Sequence, residues 1–284
     1  MEHYAALRRL LQPLRACLYD YDAQRLHRTL AETVAADATL RLFHPVGTLT
    51  GPDAFHTNAY EPLAHAIPDL ERRDTIVLAG PTAGGHDWVG CCGYYTGTFT
   101  RPWLDIPPTG HFVSLRFHEF YRVVDGRIVE AQIIWDVPEV MMQAGAWPMV
   151  PSLGREWHVP GPATEDGLAV RDRDPETSSQ AFNTVLDMCQ HLGKYATEGV
   201  AGMRLEAFWH PRCSWYGPAG IGSARGIQGF RNWHQRPFLN GMPDRVGNPE
   251  AGHLFADNNY VAFTAWPGMF MTVGADGWLG LPPV

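Results

Sequence analysis

Glu119 and Asp136, with Arg116 and His118 just ahead of Glu119, are the side chains of this 284-residue chain whose types and spacing best suit acid–base chemistry. A carboxylate or imidazole with a shifted pKa can move a proton, and a nearby donor can hold the negative charge that develops. All four belong to residues 110–145, which read as two strands, 111–124 and 127–135, joined by the turn Asp125-Gly126. Asp-Gly between two β-rich runs is a strong hairpin signal. A clean two-residue turn sets Leu115 opposite Asp136 and His118 opposite Ile133. Side-chain alternation then puts Glu119, Tyr121, Gln132 and Asp136 on one face, and Arg116, His118, Ile133 and Trp135 on the other. Asp136 also precedes Pro138 at the start of a short helical stretch ending at Gly145, so it reads equally as a helix cap.

Other candidates are scattered. His44 and His210 each precede a proline at equivalent places, and read either as strand-end histidines or as pocket bases. His56 and His65, nine apart, match no metal spacing. Tyr60, Trp88, Tyr95, Trp103, Trp215, Tyr216 and Trp266 could line an apolar pocket or simply pack a core. Cys91-Cys92 in a strand reads as packing, and Gly217–Gly222 as a turn rather than a nucleotide loop.

Composition narrows the class. With 45% hydrophobic and 18% charged residues the chain reads as an ordinary globular protein. A net charge of -8 without a basic block argues against nucleic acid and anionic membranes. The start is too polar for a signal peptide, and no apolar run reaches membrane-span length. Five cysteines without C-x-x-C spacing suggest reduced thiols in a cytoplasmic protein, with no disulfide frame and no zinc site.

Periodicity predicts helices over 4–18, from Asp22 to about Ala35, and over 54–66. Strands are predicted at 39–44, 75–79 and 88–99, ahead of the hairpin. Helices followed by an antiparallel meander point to an α+β sheet with helices on one face. Residues 151–177 have linker texture, and 178–195 is a further helix candidate.

The chain then repeats itself. Leu42-Phe43-His44-Pro45 returns as Phe208-Trp209-His210-Pro211, and Pro62 to Pro68-Asp69 as Pro237 to Pro243-Asp244 with the same spacing. Asp87-Trp88-Val89 matches Asn259-Tyr260-Val261, and Trp103 to Pro108 matches Trp278 to Pro283. Two tandem copies are expected: a first domain at 1–150, a linker at 151–177, and a second domain at 178–284 that lacks a counterpart of residues 110–145.

The loop Trp103-Leu104-Asp105-Ile106-Pro107-Pro108-Thr109-Gly110, the Asp-Gly hairpin, Ile128-Val129-Glu130, Asp136 and Gln143-Ala144-Gly145 together resemble the C-terminal half of a SnoaL-like polyketide cyclase domain. That family belongs to the nuclear-transport-factor-2-like (cystatin-like) superfamily, and residues 216–244 resemble it too. The resemblance implies a curved antiparallel sheet wrapped around helices, enclosing a cone-shaped cavity. There an acid/base Asp, helped by a His, closes a ring by intramolecular aldol chemistry without metal or cofactor. Carried onto this chain, it makes Asp136, Glu119, His118 and His44 the catalytic candidates. Arg116, Tyr60, Trp88, Tyr95, Trp103, Trp215 and His234 would bind substrate, His234 matching a family position at the cavity mouth. The expected partner is a small apolar carbonyl compound. The two copies would pack as an intramolecular pseudo-dimer, with room for a further homo-oligomer. The alternative is a non-catalytic small-molecule-binding or scaffold protein on the same fold.

Overall fold

The computed structural model describes residues 2–169 and 172–284. They form two compact units. The first holds the residues up to Ala146 together with Pro160–Ser178 and His253–Thr264, and the second holds Trp147–Val159, Ser179–Gly252 and Ala265–Val284. The stretch with linker texture is thus shared between the two.

In the first unit the N-terminal apolar stripe makes two helices, α1 (Glu2–Leu10) and α2 (Gln12–Tyr19). Pro13 explains the break, since it has no N–H to continue a ladder and suits the first turn of a new helix. Asp22 caps α3 (Ala23–Thr33), its carboxylate accepting the Arg25 N–H at 2.6 Å. The chain passes directly into β1 (Val34–Leu42), then β2 (Thr48–Thr50). Next come α4 (Gly51–Phe55), a wide turn over His56–Tyr60, and α5 (Glu61–Ala66). Pro62 offers no N–H, and the ladder widens beside it so that Glu61 N–H donates to the His56 carbonyl.

Four long strands follow: β3 (Glu71–Pro81), β4 (Asp87–Thr98), β5 (Phe112–Val124) and β6 (Arg127–Trp135). The sheet order is β2-β1-β6-β5-β4-β3, with β1 parallel to β6 and the other pairs antiparallel. Asp125 and Gly126 both have positive φ, 49° and 74°, as a primed hairpin turn demands. The helix α6 (Val137–Gln143) closes this part of the chain.

The hairpin register differs from the expected one. Val123 pairs with Ile128, but Arg122 pairs with Glu130, so Val129 is the extra residue of a bulge. From there on the pairing is shifted by one, Glu119 facing Ile133 and Phe117 facing Trp135. Trp135 therefore joins the concave face with Glu119 and Tyr121, while Gln132 moves to the opposite face. That concave face packs against α2, α3 and the α4–α5 segment in a core that includes Leu14, Leu26, Phe55, Leu63 and Trp135.

Beyond α6 the chain forms α7 (Pro175–Gly193), α8 (Tyr195–Gly202), α9 (Leu205–Phe208), β7 (Ser214–Tyr216) and β8 (Ser223–Arg225). Then come α10 (Gly226–Phe230), a second wide turn at Arg231–Gln235 and α11 (Arg236–Gly241). The last strands are β9 (Val246–Gly247), β10 (Gly252–Asp257), β11 (Tyr260–Ala265) and β12 (Met269–Phe270). The repeat seen in the sequence recurs as local structure. The segment from α10 through α11 has the helix–wide turn–helix form of α4 through α5, with Pro237 where Pro62 stands. Trp278 bridges Leu281 as Trp103 bridges Ile106. The described strands after α6 form two-stranded ladders, β7–β8, β9–β12 and β10–β11, and Ser223 of β8 also bridges Arg155.

The β10–β11 hairpin belongs to the first unit apart from its outermost residues. Phe255 and Ala262 pack on Leu78, Trp88 and Phe120 on the convex face of the sheet. Glycines make room for it: a Cβ on Gly80 would lie 2.5 Å from the Ala256 carbonyl oxygen. Asp257, 2% exposed, pairs with the Arg8 guanidinium and accepts the Ala79 N–H at 3.0 Å.

Candidate functional site

Glu119 is fully buried at the centre of the concave face, and four donors converge on it. Arg72 Nη1 and Tyr121 Oη each donate to Oε2 at 2.6 Å, and Tyr95 Oη and Trp135 Nε1 each donate to Oε1 at 2.9 Å. Arg72 also donates to Tyr95 Oη at 2.8 Å and holds Asp74 through Nε and Nη2, while Arg15 Nε reaches Asp74 at 2.8 Å. Its guanidinium lies 4.1 Å from the Phe117 ring centroid. Burial works against the charge of Arg72, but Glu119, Tyr95 and Asp74 acting together offset it and hold the guanidinium above its ordinary pKa. Burial pushes Asp74 up, but Arg72 and Arg15 more than offset this and keep it below the usual carboxylate range.

Around this network the cone is packed with rings. Tyr60 lies 5.7 Å from Trp135 and 4.8 Å from Phe55, and Trp135 lies 5.0 Å from Phe43 and 5.1 Å from Tyr95, centroid to centroid. Tyr60, Tyr95, Tyr121 and Phe117 are each 0% exposed. Burial, reinforced by Glu119, drives the Tyr60 and Tyr121 hydroxyls to higher pKa, and burial raises Tyr95 as well. The Tyr95 and Tyr121 phenols are donors to Glu119. Both oxygens of Glu119 are thus engaged, each by two donors.

The other expected catalytic groups are not assembled with it. His118 is exposed on the convex face, because even-numbered residues of β5 point away from Glu119. His44 is exposed in the turn between β1 and β2. Trp88 also faces the convex side, stacked 4.6 Å from His253, and lines no cone. Tyr60 and Tyr95 do belong to the buried network, and Trp103 packs beside the stacked pair Phe43 and Trp135. Trp215 and His234 lie in the second unit with rings 4.3 Å apart, and Phe238 also stacks on His234 at 5.3 Å. Burial depresses the His234 imidazole to about 4, so it is neutral at physiological pH.

Asp136 follows β6 directly. It stands at the N-cap of α6 without a side-chain cap hydrogen bond, and instead accepts Arg116 Nη2 at 3.3 Å. Since β6 ends at Trp135, Ser114–Arg116 of β5 lack a strand partner on that side. The side chains of α6 substitute for it: Glu139 Oε2 accepts the Arg116 N–H at 2.6 Å, Gln143 Oε1 accepts the Ser114 N–H at 2.9 Å, and Gln143 Nε2 donates to the Ser114 carbonyl at 2.6 Å. The Gln-x-Gly element is thus an edge closure.

Burial, reinforced by Asp136, raises Glu139 from 4.5 to about 7. A raised folded-state pKa means that its contribution is fully present below 4.5 and is lost as pH rises through 7. Glu139→Gln is therefore expected to match wild type near pH 4.5 and exceed it at pH 8 by about 1–2 kcal/mol in urea unfolding. A constant difference across that window would remove the assignment.

Arg72, Asp74, Arg15 and Glu139 are the residues that sequence reasoning passed over. The signal for Arg72 is the charged run Glu71-Arg72-Arg73-Asp74 leading into the strand predicted at 75–79: once the strand extends back over it, alternation must turn some of these charges inward. No group of three or more His, Cys, Asp or Glu side chains that could hold a metal occurs among the described residues, and none of their helices is long and apolar enough to cross a membrane. Burial raises the Cys91 thiol, in keeping with packing.

No curated protein matches the chain. Among solved structures it is similar to AclR from Streptomyces galilaeus, at 22% identity over 51% of this chain and 89% of that one, TM-score 0.42. It is likewise similar to IdmH from Streptomyces antibioticus, at 22% identity over 48% and 96%, TM-score 0.40. TsrD from Streptomyces laurentii gives 18% identity over 50% and 96%, TM-score 0.41. Residues 8–144, which carry the sheet, its helices and the Glu119 network, match the family described as SnoaL-like polyketide cyclase.

Proposed function

We propose that the first unit is a non-catalytic binding or scaffold domain built on the cyclase-like fold. The observation that carries this reading is Glu119, fully buried and held by four donors in a cone filled with rings. General acid–base catalysis needs a group within reach of a substrate proton and space for the substrate beside it. Among the described residues, rings pack the concave face around Glu119, which weighs against both. The second unit, with its repeated helix–wide turn–helix segment, is on this reading a diverged relative of the first.

A second reading is supported by the family match over residues 8–144: cofactor-free proton transfer on a small apolar carbonyl compound. The two readings part over one activity. Acetylacetone and cyclohexanone in D2O, followed by proton NMR, are expected to exchange their α-protons at the buffer rate with or without the protein. Protein-dependent exchange that disappears in Glu119→Gln or Asp136→Asn would favour the enzyme.

A further inference from the structure

We infer that a groove between α1, α2 and β3 is a binding site for an organic carboxylate with an apolar body. The inference deepens the binding reading and names the ligand class. Its volume is about 580 Å³, and Arg8, Arg9, Arg15, Arg72 and Arg73 line it against a single carboxylate, Asp74. Pockets of roughly 300–1,000 Å³ hold ligands the size of a substituted aromatic acid.

The charges are not all spent inside the protein. Asp74 is saturated, since Arg72 takes it through Nε and Nη2 and Arg15 takes it through Nε. Arg8 is committed to Asp257, and Arg73, 63% exposed, shares Glu71. Arg15 donates only Nε within the described residues, and its side chain is 25% exposed, leaving its terminal amines for a ligand. Arg9 is exposed and has no partner among the described residues. Two guanidinium groups on adjoining helices therefore flank the opening, a geometry suited to a planar carboxylate. Val77, Ala16, the 46%-exposed Leu168 and the 60%-exposed Tyr19 supply apolar walls for the rest of the molecule.

The test is calorimetric titration of the full chain with 1-naphthoate, its neutral analogue 1-naphthamide, and inorganic phosphate. Naphthoate is expected to bind with a Kd below about 1 mM, and naphthamide and phosphate at least about tenfold more weakly. Binding should weaken as salt is raised, since the site is open to solvent. Arg9→Gln and Arg15→Gln should each weaken naphthoate about three- to tenfold and leave naphthamide unchanged. Should loss of the Asp74 partner unfold Arg15→Gln, Arg9→Gln decides alone. Equal binding of acid and amide, phosphate binding as tight as naphthoate, unchanged binding in Arg9→Gln, or no binding of naphthoate would each overturn the inference. Catalysed α-proton exchange would overturn the non-catalytic reading while leaving the groove standing, so the two fail separately.

Discussion

Arg72→Met is expected to destabilise the first unit by about 3–5 kcal/mol, because it strands Glu119 as an uncompensated charge in a fully buried site. The Arg72 side chain is 1% exposed and that of Glu119 0%, so water cannot take over the lost partner. Tyr95, Tyr121 and Trp135 would still donate to the carboxylate, yet Asp74 would keep only Arg15. Adding Glu119→Gln to Arg72→Met should recover much of the loss, since removing both charges of a buried pair costs far less than removing one. Urea unfolding of the wild type, both single variants and the double variant gives the cycle. Additive losses would mean that the two side chains do not act as a unit.

Asp257→Ala is the second large effect, about 3–5 kcal/mol, and it tests how the chain is put together. Asp257 lies far along the sequence from Arg8 and Ala79, yet its carboxylate answers a 6%-exposed guanidinium and a backbone N–H of β3. Its removal takes away the carboxylate that both of them meet and loosens the β10–β11 hairpin from Leu78, Trp88 and Phe120. Amide exchange should rise in β3 and β4 more than in β6. Exchange unchanged in β3, with unfolding as in wild type, would show that the hairpin is not a working part of the first unit.

How much of this could be read from the residues depends on where each signal was local. The Asp125-Gly126 turn, the Asp22 cap and the helix–sheet order rest on neighbours in sequence, and they appear as expected. The face on which Trp135 lies was misjudged because the Val129 bulge shifts the register by one, and nothing about Val129 itself marks a bulge. That single shift turned Trp135 into a donor to Glu119 and sent Gln132 to the convex face, where Thr264 Oγ1 donates to its side-chain oxygen at 2.8 Å. Asp136 and Gln143 stood out as motif residues, and their motif turned out to close a strand edge. The partner of Arg8 could not be read at all, because a buried ion pair between distant segments leaves no pattern in either one.

The central claim is that the concave face is filled. Crystals pressurised with xenon test it most directly, since xenon enters dry apolar cavities of even modest size. We expect no xenon within contact distance of Tyr60, Tyr95 and Trp135. A xenon atom lodged among those three rings would contradict the claim and return the cone to the list of substrate sites.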